Sequence, residues 1–283
     1  MSGRNIVPIL KWPGGKRWLA PALAPVLQEE LSRRYFEPFL GAGAVFLSLR
    51  PTRATLSDCS ESLIQFTRTI RRDPDAVVNA AQRLSNAEEC FYQVRQRRAR
   101  TAITKAARFL YLNKTCWAGL FRLNRNGDFN VPFGGSGRRI CCAKQVVVAA
   151  KAFRRARLMT ADFEDAMSCA IHGDVIYADP PYTTKGENNG FVRYNEELFS
   201  WADQSRLALA AKSARRRGAF VALSGLYHPD ILDLYPGWWA LKIGRSSLVS
   251  RDARHRGKVH EVLLFSRKPK FYATNEADGL HRI

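Results

Sequence analysis

The chain has 283 residues, 46% hydrophobic and 25% charged, enough to bury a core without staples, which excludes a disordered, collagenous or low-complexity polymer. Forty-five Lys and Arg against 25 Asp and Glu leave a net charge of +20, which points to a polyanionic partner, nucleic acid first, with a merely solvated basic surface as the plainer reading. No run approaches the ~18 apolar residues of a membrane span, residues 1–10 lack a signal peptide's apolar stretch, and six cysteines with no CxxC pair argue against a metal site or a disulfide framework. No membrane and no metal partner is expected, and a reducing, cytoplasmic setting is.

In chain order, Lys11-Trp12-Pro13-Gly14-Gly15-Lys16 comes first, ahead of a helix expected from near Arg17. Lys16 is either an exposed turn lysine or a cation placed to meet a carboxylate, and Trp12 beside a glycine turn suits the covering of a ligand. Residues 34–39 read as a short strand, Gly41-Ala42-Gly43 as a turn, 44–49 as a helix, and 54–57 as a second strand stopped by Asp58. Small residues at such a turn let a cofactor approach the backbone, and an acid seventeen residues after Gly41 suits a ribose diol. Ordinary turns use glycine too. Phe46 stands where the third glycine of the dinucleotide fingerprint GxGxxG would fall, which argues against a pyrophosphate and for an adenosine cofactor without phosphate, such as S-adenosyl-L-methionine.

Residues 61–112 turn helical and basic, and 60–145 hold 16 basic and 6 acidic side chains, half of the net charge. An Asn- and Gly-rich loop follows from Asn113 to Gly137, with a hairpin signal at Asn126-Gly127 between Leu123 and Phe129. The expected organisation is an α/β domain of residues 1–60 and 145–283, interrupted by a helical insert with a hairpin at 61–144. The α/β rhythm resumes with a helix at 145–155, strands at 156–160 and 175–178, a helix at 203–216 and strands at 219–223 and 259–265; the last dozen residues read as a loose tail.

Asp179-Pro180-Pro181-Tyr182 follows the 175–178 strand at once, at the end where open α/β sheets bind ligands. Asp179 offers acceptor oxygens, the two prolines hold the backbone extended so that a main-chain carbonyl can point the same way, and Tyr182 supplies an aromatic plane. Two acceptors and a ring suit a planar heterocycle with an exocyclic NH2. A proline-rigidified turn with a half-buried Tyr is the alternative.

In this order, Lys11–Lys16, Glu37-Pro38-Phe39-Leu40-Gly41-Ala42-Gly43, Leu56-Ser57-Asp58, Leu123–Gly134 and Tyr177–Tyr182 resemble the Dam-type family of DNA adenine-N6 methyltransferases, over about residues 9–265. The resemblance implies a Rossmann-like class I methyltransferase sheet with a helical target-recognition insert. It also implies that Trp12, Lys16, Phe39, Gly41, Gly43, Asp58, Asp162, Phe163 and Asp179 line the S-adenosyl-L-methionine pocket, and that Asp179, Pro180 and Tyr182 grip a flipped adenine in double-stranded DNA, near Phe191, Tyr194 and Phe199. Lys11, Arg122 and Asn124 fall where base contacts are expected, and Arg245 and Ser246 open a loop through Arg251, Arg254, Arg256 and Lys258 that resembles a phosphate-contacting segment. The sequence departs from the family at Ala118, where Asn is common, at Ser60, and at Gly225, where Asn usually follows Ser. Transfer to cytosine N4 or to an RNA adenine uses the same acceptors, and a catalytically silent DNA-binding module is the rival from another class.

Overall fold

A computed structural model describes residues 6–124, 127–135, 140–185, 199–246 and 258–274. The helices are α1 (Ala20–Glu30), α2 (Ala44–Leu49), α3 (Glu61–Arg72), α4 (Pro74–Gln82), α5 (Glu88–Gln96), α6 (Ala102–Thr115), α7 (Ala143–Phe153), α8 (Phe163–Ser168), α9 (Trp201–Arg216), α10 (Pro229–Asp233) and α11 (Phe271–Thr274). The strands are β1 (Tyr35–Glu37), β2 (Ala54–Asp58), β3 (Ala156–Thr160), β4 (Val175–Ala178), β5 (Phe220–Leu226), β6 (Trp239–Ser246) and β7 (Lys258–Phe265), in the sheet order β3-β2-β1-β4-β5-β7-β6. This is the α/β class expected from the sequence. By contacts the chain divides into two units, Met1–Ala24 with Leu40–Thr160, and Pro25–Phe39 with Ala161–Ile283.

In the first unit β2 and β3 pair in parallel, Ala54 opposite Ala156 and Asp58 opposite Thr160. Helix α3 lies against them because its sequence is amphipathic, with Leu63, Ile64, Phe66 and Ile70 buried, Ser60 capping its start and Arg71 and Arg72 in its last turn. From its outer face Arg68 and Arg71 donate to the Leu158 and Ala156 carbonyls of the edge strand β3, at 2.8 and 2.9 Å, groups that the sheet leaves without a strand partner. The segment 61–144 lies wholly within this unit, and Phe66, Phe109, Phe121 and Phe129 make a chain of ring contacts, each 4.4–5.5 Å between centroids, from α3 through α6 to the hairpin.

In the second unit β1, β4 and β5 are parallel, β7 adds on antiparallel to β5, and β6 pairs antiparallel with β7 at the edge. Side chains alternate across this sheet. Phe36, Ile176, Ala178, Val221, Leu223, Val262 and Leu264 turn to one face, where α8 and α9 cover them with Phe163, Met167, Leu207, Ala208, Ala211 and Ala214. The other face carries the polar set Tyr35, Glu37, Tyr177, Ser224 and Glu261, all buried.

Two expectations need correction, and α8, α10 and β6 were not foreseen from the sequence. The first helix begins at Ala20 rather than near Arg17, because residues 17–19 form a turn instead. The tail is not loose from its start, since α11 forms there and Tyr272 stacks on Trp239 at 5.0 Å. Strand β6 carries only a short signal, Leu241 and Ile243 alternating with Lys242 and Gly244, and it is held as an edge strand by β7.

At the amino ends of β1 and β4 the parallel register sets Arg34 beside Asp174. The fully buried Asp174 carboxylate accepts from Arg34 Nη2 at 2.7 Å, the Arg34 backbone N–H at 3.0 Å and the Ile171 N–H at 3.0 Å. Burial pushes its pKa up, but the Arg34 side chain and these N–H groups outweigh it and hold the carboxyl below its ordinary value. A depressed folded-state pKa stabilises the fold above the unfolded value of ~3.9 and loses that contribution as pH falls through the folded one. Asp174→Asn is expected to cost ~2–4 kcal/mol at neutral pH. Its loss of stability below about pH 4 should be shallower than that of the parent, and chemical denaturation across pH 2–7 checks both expectations.

Candidate functional site

In the first unit the glycine turn is tied to the second strand. The Leu40 N–H donates to the Ser57 carbonyl at 2.9 Å and the Gly43 N–H to the Leu40 carbonyl at 2.7 Å, so α2 starts from Gly43 with φ +68°. Asp58, at the carboxyl end of β2, accepts the Gly41 N–H on Oδ2 and the Ser60 N–H on Oδ1, both at 3.0 Å. Burial raises its pKa, and those two N–H groups oppose the rise without cancelling it. Gly41 is required twice over: its φ is +47°, and a Cβ there would fall 2.9 Å from Trp12 Cδ1. The N-terminal motif thus lays Trp12 against the bare backbone of the turn. Lys16 is not the exposed turn lysine of one expectation. It is 3% exposed and donates from Nζ to the Gly14 carbonyl at 2.7 Å.

The same unit fixes the hairpin through Asn113, a fully buried amide near the end of α6. It accepts the Lys11 N–H at 3.0 Å and donates to the Lys11 and Gly119 carbonyls at 2.7 and 3.1 Å. Gly119 (φ +70°) leaves room for the Lys11 side chain, which a Cβ would meet at 2.4 Å. Lys11 Nζ donates to the Lys114 carbonyl at 3.3 Å, and burial, with Lys11 and Arg17 nearby, pushes the Lys114 amine down to about 8. Ala118 has φ +53°, a left-handed conformation that Asn takes at less cost than Ala, so the departure from the family's Asn falls on a strained residue. Beyond it Leu123 and Phe129 form an antiparallel bridge. The exposed Arg122 donates from Nε to Asn130 Oδ1 at 2.8 Å, and Asn124 Oδ1 accepts the Asp128 N–H at 2.8 Å.

In the second unit Asp179 leaves the carboxyl end of β4, with Pro180 buried and Tyr182 half-buried. The Tyr182 hydroxyl lies 2.9 Å from Glu261 Oε2 and 3.4 Å from Asp179 Oδ1. Burial, then the negative charges of Asp179 and Glu261, hold its pKa far above the ordinary tyrosine value, so the hydroxyl keeps its proton and is the donor. Phe39, Phe163 and Phe199 gather with centroids 5.5–5.7 Å apart. Asp162 caps α8, accepting the Glu164 N–H at 2.9 Å, and also pairs with Arg206 at 3.0 Å; Arg206 further holds Glu164 and Asp203 and lies over the Phe163 ring.

The structure brings Trp12, Lys16, Gly41, Gly43 and Asp58 into one unit with Lys11, Arg122 and Asn124, and Phe39, Asp162, Phe163, Asp179, Pro180 and Tyr182 into the other. Arg245 and Ser246 end β6 opposite Val259 and Lys258; their side chains, the loop through Arg251, Arg254 and Arg256, and Phe191 and Tyr194 lie outside the described residues. Asn113, Arg206 and Glu261 were not singled out from the sequence. For Glu261 a signal existed, an acid inside the apolar run Val259–Phe265; for the other two it did not. Among the described residues no cluster of His, Cys, Asp and Glu would hold a metal, and no helix is long and apolar enough to cross a membrane.

Comparison with known proteins then places the chain. The family model for D12 class N6 adenine-specific DNA methyltransferases matches residues 12–243. The chain is 31% identical over 271 residues to the Type II methyltransferase M1.LlaDCHI of Lactococcus lactis subsp. cremoris, covering 92% of this chain and 95% of that protein. It is 32% identical over 261 residues to a DNA adenine methylase of Vibrio cholerae (90% and 94% covered) and 31% identical over 266 residues to the DNA adenine methylase of Escherichia coli K12 (90% and 93% covered). With an acid closing β2, an Asp-Pro-Pro-Tyr segment closing β4 and a match across most of its length, the chain belongs to the D12 class of N6 adenine-specific DNA methyltransferases.

Proposed function

We propose that this chain methylates the N6 of adenine in duplex DNA, taking the methyl group from S-adenosyl-L-methionine and acting on an adenine turned out of the helix. The observation that carries the reading is Asp179-Pro180-Pro181-Tyr182 at the carboxyl end of β4, where a carboxylate stands beside an aromatic side chain whose hydroxyl is already anchored.

The donor set fits such a cofactor. Each Asp58 oxygen takes one backbone N–H and keeps acceptor capacity for a further donor, and a ribose diol brings two hydroxyls. S-adenosyl-L-methionine, when bound, supplies an electrophilic methyl group on a sulfonium sulfur. Asp58 would accept the ribose hydroxyls and the buried Lys16 ammonium would meet a carboxylate, with Trp12, Gly41 and Gly43 beside them in the first unit; Phe39 is likewise assigned to the cofactor. Asp162 and Phe163 are assigned to the adenine ring of the cofactor.

Asp179 and the Pro180 carbonyl accept the two N6 hydrogens of the target base. This draws the nitrogen lone pair out of conjugation and aims it at the methyl group. Positive charge grows on N6 during attack, so fixed acceptors stabilise the transition state more than the neutral amine. Stacking on the Tyr182 ring offsets the few kcal/mol of unstacking the base. The basic segment 61–144 is assigned to DNA, Lys11, Arg122 and Asn124 to bases, and Arg245 and Ser246 to phosphates, which steer association by charge.

Incubation with tritiated S-adenosyl-L-methionine and mixed-sequence duplex is expected to label N6-methyladenine; label in N4-methylcytosine, or in RNA alone, would overturn the reading. In the same assay Asp179→Ala should lower kcat by ~10²–10³-fold while leaving the duplex Kd within about threefold. Asp58→Ala should raise the cofactor Kd by ~10–100-fold, the loss of hydrogen bonds to a charged acceptor, as equilibrium dialysis would read. Arg122→Ala should erase ~1–3 kcal/mol of discrimination at one base pair. Sequencing of methylated sites from a random duplex pool tests that expectation, and uniform weakening over all sequences would mark Arg122 as a phosphate contact.

A further inference from the structure

Glu261 occupies a position that the sheet would ordinarily fill with an apolar residue. It lies in the middle of β7, opposite Leu226 of β5 and Ile243 of β6, and is 3% exposed. An ionised side chain there costs several kcal/mol unless it is well partnered. The period of two puts it on the face that carries Tyr35, Glu37, Tyr177 and Ser224, where phenols pair with short hydrogen bonds: Tyr35 to Glu37 at 2.7 Å and Tyr177 with Ser224 at 2.7 Å. The phenol that meets Glu261 belongs to Tyr182, 79 residues away in the chain.

Tyr182 has one hydroxyl proton and two carboxylates within reach, Glu261 at 2.9 Å and Asp179 at 3.4 Å. Whichever carboxylate accepts that hydrogen bond loses acceptor strength toward any other donor. We infer that Glu261 is a positioning residue for methyl transfer: by accepting the Tyr182 hydroxyl hydrogen bond it keeps that donor from Asp179, the acceptor for the reacting amine, and fixes the Tyr182 ring for stacking. The shorter distance favours Glu261. The inference rests on the role assigned above to Asp179. It adds a residue from the far end of the chain that acts through Tyr182.

Without Glu261 the Tyr182 hydroxyl turns to Asp179 and competes with N6. Removing that hydroxyl should therefore repair the defect, which a merely structural role would not allow. Steady-state kinetics with wild type, Glu261→Leu, Glu261→Gln, Tyr182→Phe and the double variants read this out, with thermal melting to confirm folding. Tyr182→Phe is expected to lower kcat a few-fold. Glu261→Leu should lower it by ~10–100-fold with the KM for DNA within about threefold. Glu261→Leu with Tyr182→Phe should recover to within about threefold of Tyr182→Phe alone. Glu261→Gln, isosteric and neutral, should show the same pattern at ~3–10-fold, and it carries the test if the Leu variant does not fold. Losses that multiply in the double variants, or a raised KM with kcat unchanged, would overturn the inference while leaving the methyltransferase reading intact. A folded wild type that forms no N6-methyladenine would take both down.

Discussion

Parallel pairing ends neighbouring strands at the same level, and the chain puts a carboxylate at nearly every such end. Glu37 closes β1, Asp58 closes β2, Asp162 follows β3 by two residues and Asp179 follows β4 at once. A carboxylate at the rim of a sheet has lost much of its water and must find donors from the protein. How each one finds them decides what it is left able to do.

The two units answer this differently. Asp58 is held by backbone N–H groups that the glycine turn and the start of α3 present, which no side-chain motion can withdraw, with the Cys59 thiol as a weak further donor at 3.9 Å. In the second unit side chains serve as donors, beside the Glu164 backbone N–H that Asp162 also accepts. Tyr35 serves Glu37, Arg206 serves Asp162, and Tyr182 stands between Glu261 and Asp179. Such a layer ties the sheet face to the segment after β4, so that burial on β7 bears on the chemistry proposed for β4.

In the first unit the equivalent anchor is Asn113, whose amide joins the N-terminal motif to the start of the hairpin. Rings from α3 to Phe129 stiffen the same region. As the recognition element proposed above, this region would give up little conformational entropy on binding, because its backbone is already fixed by a buried amide and by packing. The net charge of +20 supplies attraction to DNA, whereas discrimination between bases needs side chains held as Arg122 is held by Asn130.

Chain-local chemistry was legible in the sequence. Strands β1 to β5 and β7, the glycine turn, Asp58 and Asp179-Pro180-Pro181-Tyr182 all follow from runs and turn residues a few positions apart, because periodicity and glycine placement act over that range. The family followed from the order of those motifs. What the sequence left open is settled by contacts between segments far apart in the chain: Asn113 with Lys11, 102 residues away, Arg206 with Asp162, 44 away, and Tyr182 with Glu261, 79 away. The burial of Lys16 and the edge strand β6 belong with them. Whether a polar side chain is exposed, buried and paired, or buried and strained depends on what folds over it, and no local pattern encodes that; it was the tertiary structure that turned an acid in an apolar strand into the partner of the Asp-Pro-Pro-Tyr tyrosine.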